Sequence, residues 1–341
     1  MKQKVVTFGE IMMKFSPLSY QRFLQTTAMN VEYAGAEANV AVSLANYGIE
    51  SAFVTKLPNN DLGEAAINAI RHYGVEANSI VRGGNRIGIY FSEKGASQRP
   101  SKVIYDRAGS AIACAESSEF DWNAIFENAS WFHFTGITPA LSESMANICL
   151  EACRVAKSKG IIISCDLNYR NKLWSRDKAQ KVMSELCQYV DVCIANEEDA
   201  ANVFGIKADN SDVCGGVIDE TSYESVARQL KERFDFQIVA ITLRESISAS
   251  DNNWSAILYD GQKIFKSRKY AIHIVDRIGG GDSFGAGLIY GILRYDEPQK
   301  ALEFAVAASC LKQTIEGDFN LSSVAEVESL LKNGGSGRII R

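Results

Sequence analysis

Along the chain, short apolar runs bounded by turn residues alternate with longer stretches in which apolar positions recur at the helical period. The runs at 5–8, 51–56, 131–135, 161–166, 192–195 and 238–242 read as buried strands, and each leads through a polar turn into a helical stretch. Helices are predicted over 37–47, 62–72, 143–157, 176–188, 222–234, 283–293 and 299–313. Apolar strands alternating with helices belong to a parallel sheet covered on both faces, so the predicted fold class is α/β. Several of the strands end near one edge, where open sheets of this kind take their ligands.

Two segments break the alternation. Residues 11–33 and 86–105 carry strand-like pieces, the second with IGIYF and KVIY on either side of the polar turn EKGASQRPS. They read as antiparallel and, although they come from separate places in the chain, they can pair into a small sheet over the ligand edge, forming a lid. The chain then divides into an α/β body of residues 1–10, 34–85 and 109–341 and a lid of residues 11–33 and 86–108. The polar, acidic stretch 207–221 reads as an inserted surface loop.

Composition narrows the function classes. The 341 residues are 46% hydrophobic and 23% charged, an ordinary globular balance, and 36 Lys and Arg against 41 Asp and Glu leave a net charge of −5. No basic field is available for a polyanion, so nucleic acid is not an expected partner. No apolar run approaches the roughly 18 residues of a membrane span. The opening MKQKVVTFGEIMMKF has no signal-peptide core, and a cytoplasmic protein without membrane contact is expected. Eight cysteines form no CxxC pair and read as buried free thiols. Three histidines share no motif, His133 lies in the strand-like WFHF, and no zinc site is expected.

The sharpest chemical signal is VDRIGGGDSFGAGLIYG at 275–291. Gly279, Gly280 and Gly281 can take dihedrals that turn backbone N–H groups toward one point, and the helix opening at about Asp282 adds its positive end, which together make an anion cradle. An aspartate at the mouth of a phosphate cradle is placed to take the proton of an attacking alcohol. The competing reading is a glycine-rich turn with Asp282 as an ordinary N-cap. No GxxxxGK[ST] occurs, and Tyr290 stands where a GxGxxG would need glycine, so Walker-type and dinucleotide sites are disfavoured.

With these residues in hand, the chain resembles the ribokinase-like, PfkB-type carbohydrate kinases. Their DTxGAGD signature stands here as Asp276-Arg277-Ile278-Gly279-Gly280-Gly281-Asp282, and their amino-terminal Gly-Gly segment leading to an Asn stands as YAGAEANVAVSLANYG, with Gly35 and Asn39 in place. The resemblance spans nearly the whole chain and implies a three-layer sandwich around a mostly parallel sheet, a small-sheet lid, Asp282 as catalytic base and Gly279, Gly280 and Gly281 as anion hole. YDRAGSA at 105–111, LNYR at 167–170 and EGDFN at 316–320 look like the 2-keto-3-deoxygluconate kinase branch. That substrate is an acid, and guanidinium groups match carboxylate geometry, which suits Arg107 and Arg170.

By the same resemblance, Gly35, Glu37 and Asn39 would meet sugar hydroxyls, Tyr90 and Tyr105 would cover the sugar, and Asp318 would hold one of its polar groups. Asn168, Arg170, Asn196, Thr242, Gly279 and Gly281 would serve the nucleotide, with the helix 301–313 offering an apolar wall for adenine. ATP with Mg2+ is implied, the ion positioned by Asn196 and Asp199 through water; Asp199 stands where the family's NxxE motif has Glu, which leaves Glu197 and Glu198 as alternatives. Arg277 replaces the family's usual Thr in a region that often holds a monovalent cation, so potassium activation is not assumed. Ala34 replaces the first glycine of the Gly-Gly pair. The implied reaction is phosphorylation of the 6-hydroxyl of 2-keto-3-deoxygluconate, with a fructokinase or other ketose kinase as the alternative and a non-catalytic sugar-binding regulator as the reading from another class. Exposed lid-strand edges invite pairing between subunits, so a homo-oligomer, dimer or higher, is expected.

Overall fold

A computed structural model describes residues 3–196, 198–208 and 220–334. Most of the loop expected over 207–221, including Cys214, lies outside the described residues, as does Glu197. In chain order the strands are β1 (Lys4–Phe8), β2 (Met12–Pro17), β3 (Met29–Ala34), β4 (Glu50–Val54), β5 (Lys56–Leu57), β6 (Val81–Arg82), β7 (Gly88–Glu93), β8 (Lys102–Asp106), β9 (Ala129–Thr135), β10 (Ile162–Asp166), β11 (Val192–Ala195), β12 (Ile238–Ser246), β13 (Asp251–Tyr259), β14 (Ile264–Lys266) and β15 (Tyr270–His273).

Among the described residues the main sheet has nine strands, in the order β14-β13-β12-β11-β10-β9-β1-β4, with β15 also on β13. The six runs expected to be strands form its parallel part, as the partners Val5↔Ser51 and Cys165↔Cys193 show. Alternation within each strand sorts side chains between two cores: Val6, Phe8, Phe132 and Phe134 face one, and Val5, Trp131, Val192 and Ile194 the other. Helices cover both faces, giving the expected α/β sandwich. The antiparallel strands β13 to β15 were not expected from the pattern; β13 reads DNNWSAILY, and its polar first half hides the alternation.

The irregular segments do pair into one small sheet, in the order β3-β2-β7-β8. It is not wholly antiparallel, because the two hairpins lie side by side and join through the parallel pair β2 and β7, with Met12 opposite Gly88. Its inner flank packs Ile11, Met13 and Ile87 against Ala38, Ala41 and Phe53 of the body.

The helices Gly280–Arg294 and Pro298–Lys312 lie in close contact because small residues face each other. A side chain on Gly287 or Gly291 would come within 2.8 or 2.6 Å of the Cα of Ala305 or Ala301. Cys149, Cys153, Cys165, Cys187, Cys193 and Cys310 are buried free thiols as expected; Cys114 is instead exposed, in the turn after Ser110. His133 is buried in β9, where burial holds its imidazole down to about 3 and hence neutral. Among the described residues no helix is long and apolar enough to cross a membrane.

Candidate active site

Strands β10, β11 and β12 bring Asp166, Ala195 and Thr242 to one edge of the main sheet. There they meet the start of the helix Gly280–Arg294, the start of the helix Ala36–Asn46 and the inner face of the small sheet, enclosing a cavity of about 340 Å³. Its lining includes Gly35, Glu37, Asn39, Tyr90, Tyr105, Arg107, Asn168, Arg170, Asn196, Thr242, Gly279, Gly280, Gly281, Asp282 and Asp318, so most of the residues singled out in the sequence converge here. Asp199 does not line it. The helix Pro298–Lys312 does not line it either and packs on its neighbour.

The three glycines differ in what they require. Gly279 has φ +81°, and a Cβ there would lie 2.1 Å from the Asp318 carbonyl oxygen, so both conformation and space demand glycine. Gly280 is braced by Ser309 Oγ, which donates to its carbonyl at 2.7 Å. Gly281 faces open space, the side of the cradle an anion would occupy at the positive end of the helix. Next to it, Asp282 Oδ2 accepts from Asn39 Nδ2 at 2.6 Å. Burial is the main cause that lifts this carboxyl from 3.8 to about 7; Asp318 and Glu37 add to the rise, while Asn39 and Arg170 oppose it. A base poised near neutrality can both take and release a proton.

Gly35 starts the helix that carries Asn39, and a Cβ on it would come within 1.9 Å of the Glu10 carbonyl oxygen. Glu37 is turned into the body: its Oε1 accepts from Thr135 N at 3.0 Å, Thr135 Oγ1 at 2.7 Å and Thr138 Oγ1 at 2.6 Å. Burial raises its carboxyl, with the threonine hydrogen bonds pulling the other way. Its oxygens therefore brace the start of the helix as well as bordering the cavity.

At the small-sheet end, Tyr90 donates from its hydroxyl to Asp318 Oδ2, and Lys14 Nζ reaches Asp318 Oδ1 at 2.6 Å. Lys14 also lies 3.0 Å from Glu32 and 3.9 Å from Asp276. Burial alone would lower the Lys14 ammonium, but Asp318, Asp276 and Glu32 outweigh it and raise it. Tyr105 stacks on Tyr90 with ring centroids 5.9 Å apart, and the Arg107 guanidinium sits 5.5 Å from the Tyr105 ring. Arg107 is paired with Glu10, its Nε 2.8 Å from Oε2, and Ser110 Oγ donates to the other oxygen at 2.6 Å. Arg170 donates to the Tyr169 carbonyl at 3.0 Å.

The residues expected around a metal ion divide. Asn196 borders the cavity, its Oδ1 accepting from the backbone of Glu198 and Asp199 at 2.8 and 3.0 Å. Both oxygens of Asp199 accept backbone N–H groups, from Tyr169 and Asn196, at 3.0 Å each. Asp199 thus ties two strand ends together from beneath the cavity wall. At this strand edge Asp166, which the sequence reading passed over, does line the cavity. Burial first, then repulsion from Asp199 and Asp282, push its carboxyl well above the ordinary range, with Arg170 opposing.

A family model described as pfkB family carbohydrate kinase matches residues 2–322. The chain belongs to the PfkB family. As a carbohydrate kinase it is a phosphotransferase with an alcohol acceptor. It is similar to a crystal structure of 2-dehydro-3-deoxygluconokinase from Thermotoga maritima, with TM-score 0.94 and 51% identity, covering 98% of this chain and 99% of that one. It is 33% identical to a 2-dehydro-3-deoxygalactonokinase of Haloferax volcanii, over 99% of each chain. It is 28% identical to a 2-dehydro-3-deoxygluconokinase of Bacillus subtilis, over 94% of this chain and 92% of the relative.

Besides Asp166, the sequence reading of this PfkB kinase missed Glu10, Lys14, Arg244 and Trp254. Glu10, Arg244 and Trp254 line the cavity, and Lys14 holds Asp318 from behind. For Asp166 a signal existed, since an acidic residue closing a buried parallel strand lies at the ligand edge. Lys14 gave none, because a lysine in a strand ordinarily faces water.

Proposed function

We propose that this protein is an ATP-dependent 2-dehydro-3-deoxygluconokinase that phosphorylates the 6-hydroxyl of 2-keto-3-deoxygluconate. The observation that carries the reading is Asp282: a carboxyl raised to about 7, held by Asn39 and set directly after a glycine turn open at Gly281. The substrate hydroxyl gives its proton to Asp282 as its oxygen attacks the γ-phosphorus, the bond from that phosphorus to the bridging oxygen breaks, and ADP leaves. Gly279, Gly280 and Gly281 hold the transferring group at the helix start. The small sheet serves as the lid, with Tyr90 and Tyr105 over the sugar and Arg107 and Arg170 toward its carboxylate; closure excludes water.

Magnesium fits this site as an ion held mainly by phosphate oxygens and water. Among the described residues no three acidic, His or Cys side chains converge as a metal cluster, while the crowded carboxyl of Asp166 would be relieved by a cation. Asp166 and Asn196 would border the ion, whose chemistry is to neutralise charge on the phosphates.

A neutral ketose is the second reading, and one observation favours it: Arg107 already has a carboxylate partner in Glu10. A coupled ADP-release assay on 2-keto-3-deoxygluconate, its galactonate epimer, fructose, ribose and adenosine tests the proposal. Preference for the gluconate supports it, preference for the epimer changes the substrate alone, preference for fructose overturns the acid reading, and silence on every sugar overturns the kinase reading. The chain is further proposed to form a homo-oligomer through the small sheet, whose Val31 and Ile104 are 52% and 44% exposed; a monomer by light scattering would refute this.

A further inference from the structure

We infer that Arg277 binds the polyphosphate of the nucleotide, an inference that rests on the ATP-dependent reading above. Arg277 lies two residues before Gly279, is half-buried, and lines the cavity that holds Gly281 and Asp282. Its bonding is poor for a guanidinium. Nη2 reaches only the carbonyls of Ser248 and Ala249, at 3.5 and 3.4 Å, and Nε is buried without a partner. The carboxylate next to it in the chain, Asp276, turns toward Lys14 and Lys94, at 3.9 and 4.0 Å.

A guanidinium partly withdrawn from water gains when an anion compensates it. Among the described residues no carboxylate forms an ion pair with Arg277. A second guanidinium, Arg244 from β12, also lines the cavity, and burial together with Arg244 lowers the Arg277 guanidinium from its usual value, with Asp276 opposing. A guanidinium with an unpartnered Nε that lines a cavity beside a glycine anion cradle matches a polyanion, and the planar fork of arginine suits phosphate oxygens. The sugar carboxylate is not the natural partner. The arginines assigned to it, Arg107 and Arg170, lie with Tyr105 where the first cavity adjoins a second one along β8, whereas Arg277 lines the first cavity but not that second one, two residues before the glycine turn.

The competing role is a brace for the turn between β12 and β13, through the two carbonyls. Arg277→Gln separates the roles, because a Gln amide can still donate to carbonyls but carries no charge. Calorimetric titration of the full-length protein with ATP, adenosine and 2-keto-3-deoxygluconate is the measurement. The expected result is an ATP Kd raised about 10- to 100-fold, the scale of a lost charge-assisted hydrogen bond, with adenosine and sugar-acid affinities within about twofold of wild type. Arg277→Lys, which keeps the charge but not the fork, should recover part of the loss. ATP affinity within about twofold of wild type in Arg277→Gln, or an equal loss for adenosine and ATP, would overturn the inference while leaving the kinase reading intact. Wild-type protein that binds no ATP would overturn both.

Discussion

Replacing Asp282 by Asn tests the base and its surroundings together. Burial lifts this carboxyl from 3.8 to about 7, so the native protein holds the proton more tightly than the unfolded chain does. Stability contributed by the bound proton is therefore present at low pH and is lost as pH rises toward 7. Between pH 5 and pH 8 the loss amounts to roughly 2–3 kcal/mol, taking about 1.4 kcal/mol for each tenfold change in the proton equilibrium. A chain of 341 residues unfolds with an entropy of about 0.7 kcal/mol/K, at roughly 2.1 cal/mol/K per residue, which converts the loss to about 4 °C in Tm. Asn at 282 does not titrate and can still accept from Asn39 Nδ2, now 2.6 Å from Oδ2. Measured by scanning calorimetry at fixed ionic strength, the Tm of Asp282→Asn relative to wild type should rise by about 4 °C from pH 5 to pH 8. Its turnover should fall by roughly 10²- to 10⁴-fold, and wild-type kcat/KM should decline below about pH 7 as the base is protonated. Parallel Tm curves for the two proteins would refute the raised carboxyl, and unchanged turnover would refute the base.

Arg107→Ala should raise KM for the keto-deoxy acid at least about tenfold with little effect on a neutral sugar, and should destabilise the protein by about 3–5 kcal/mol in a urea melt, because Glu10 is left buried beside Ser110 alone. Adding Glu10→Gln should return most of the stability but not the affinity, which separates the two roles of the pair. Gly279→Ala and Gly281→Ala should part company: the first meets the Asp318 carbonyl and a left-handed backbone and should lose folded protein, seen as a lowered Tm. The second enters open space, so Tm should hold while kcat falls by about 10²-fold as the cradle narrows. Full turnover in Gly281→Ala would remove the anion hole from that position.

What could be read from the sequence follows the range of the forces involved. The parallel strands and the helix Gly280–Arg294 were legible because their apolar spacing and glycines are local necessities, and β1, β9 and β11 lie within two residues of their expected ends. The parallel join of β2 and β7 was not, since which edges of two separate hairpins meet is decided by packing on the body. The same limit applies at the site. Asp282 could be picked out by its glycines, and Gly35 and Asn39 by the family resemblance, yet the Asn39 to Asp282 bond spans 243 positions. Lys14 looked like a solvent-facing strand residue because its partner Asp318 is 304 positions away. The family resemblance made Asp199 a partner of Asn196 at the ion, and only the backbone amides of Tyr169 and Asn196 reveal how its oxygens are occupied.

Asp318 faces two ways. Its carboxylate takes Lys14 and Tyr90 from the small sheet, while its carbonyl presses on Gly279. The small sheet is consequently not an interchangeable part. Transplanting one from a relative would leave a buried ammonium or carboxylate without its counterpart unless the segment around residue 318 travelled with it, and that segment sets the room available to the glycine turn. If these residues have the proposed roles, sugar choice and the phosphate cradle change together, and an engineer seeking a new sugar specificity has to redesign residues 14, 90, 279 and 318 as one unit.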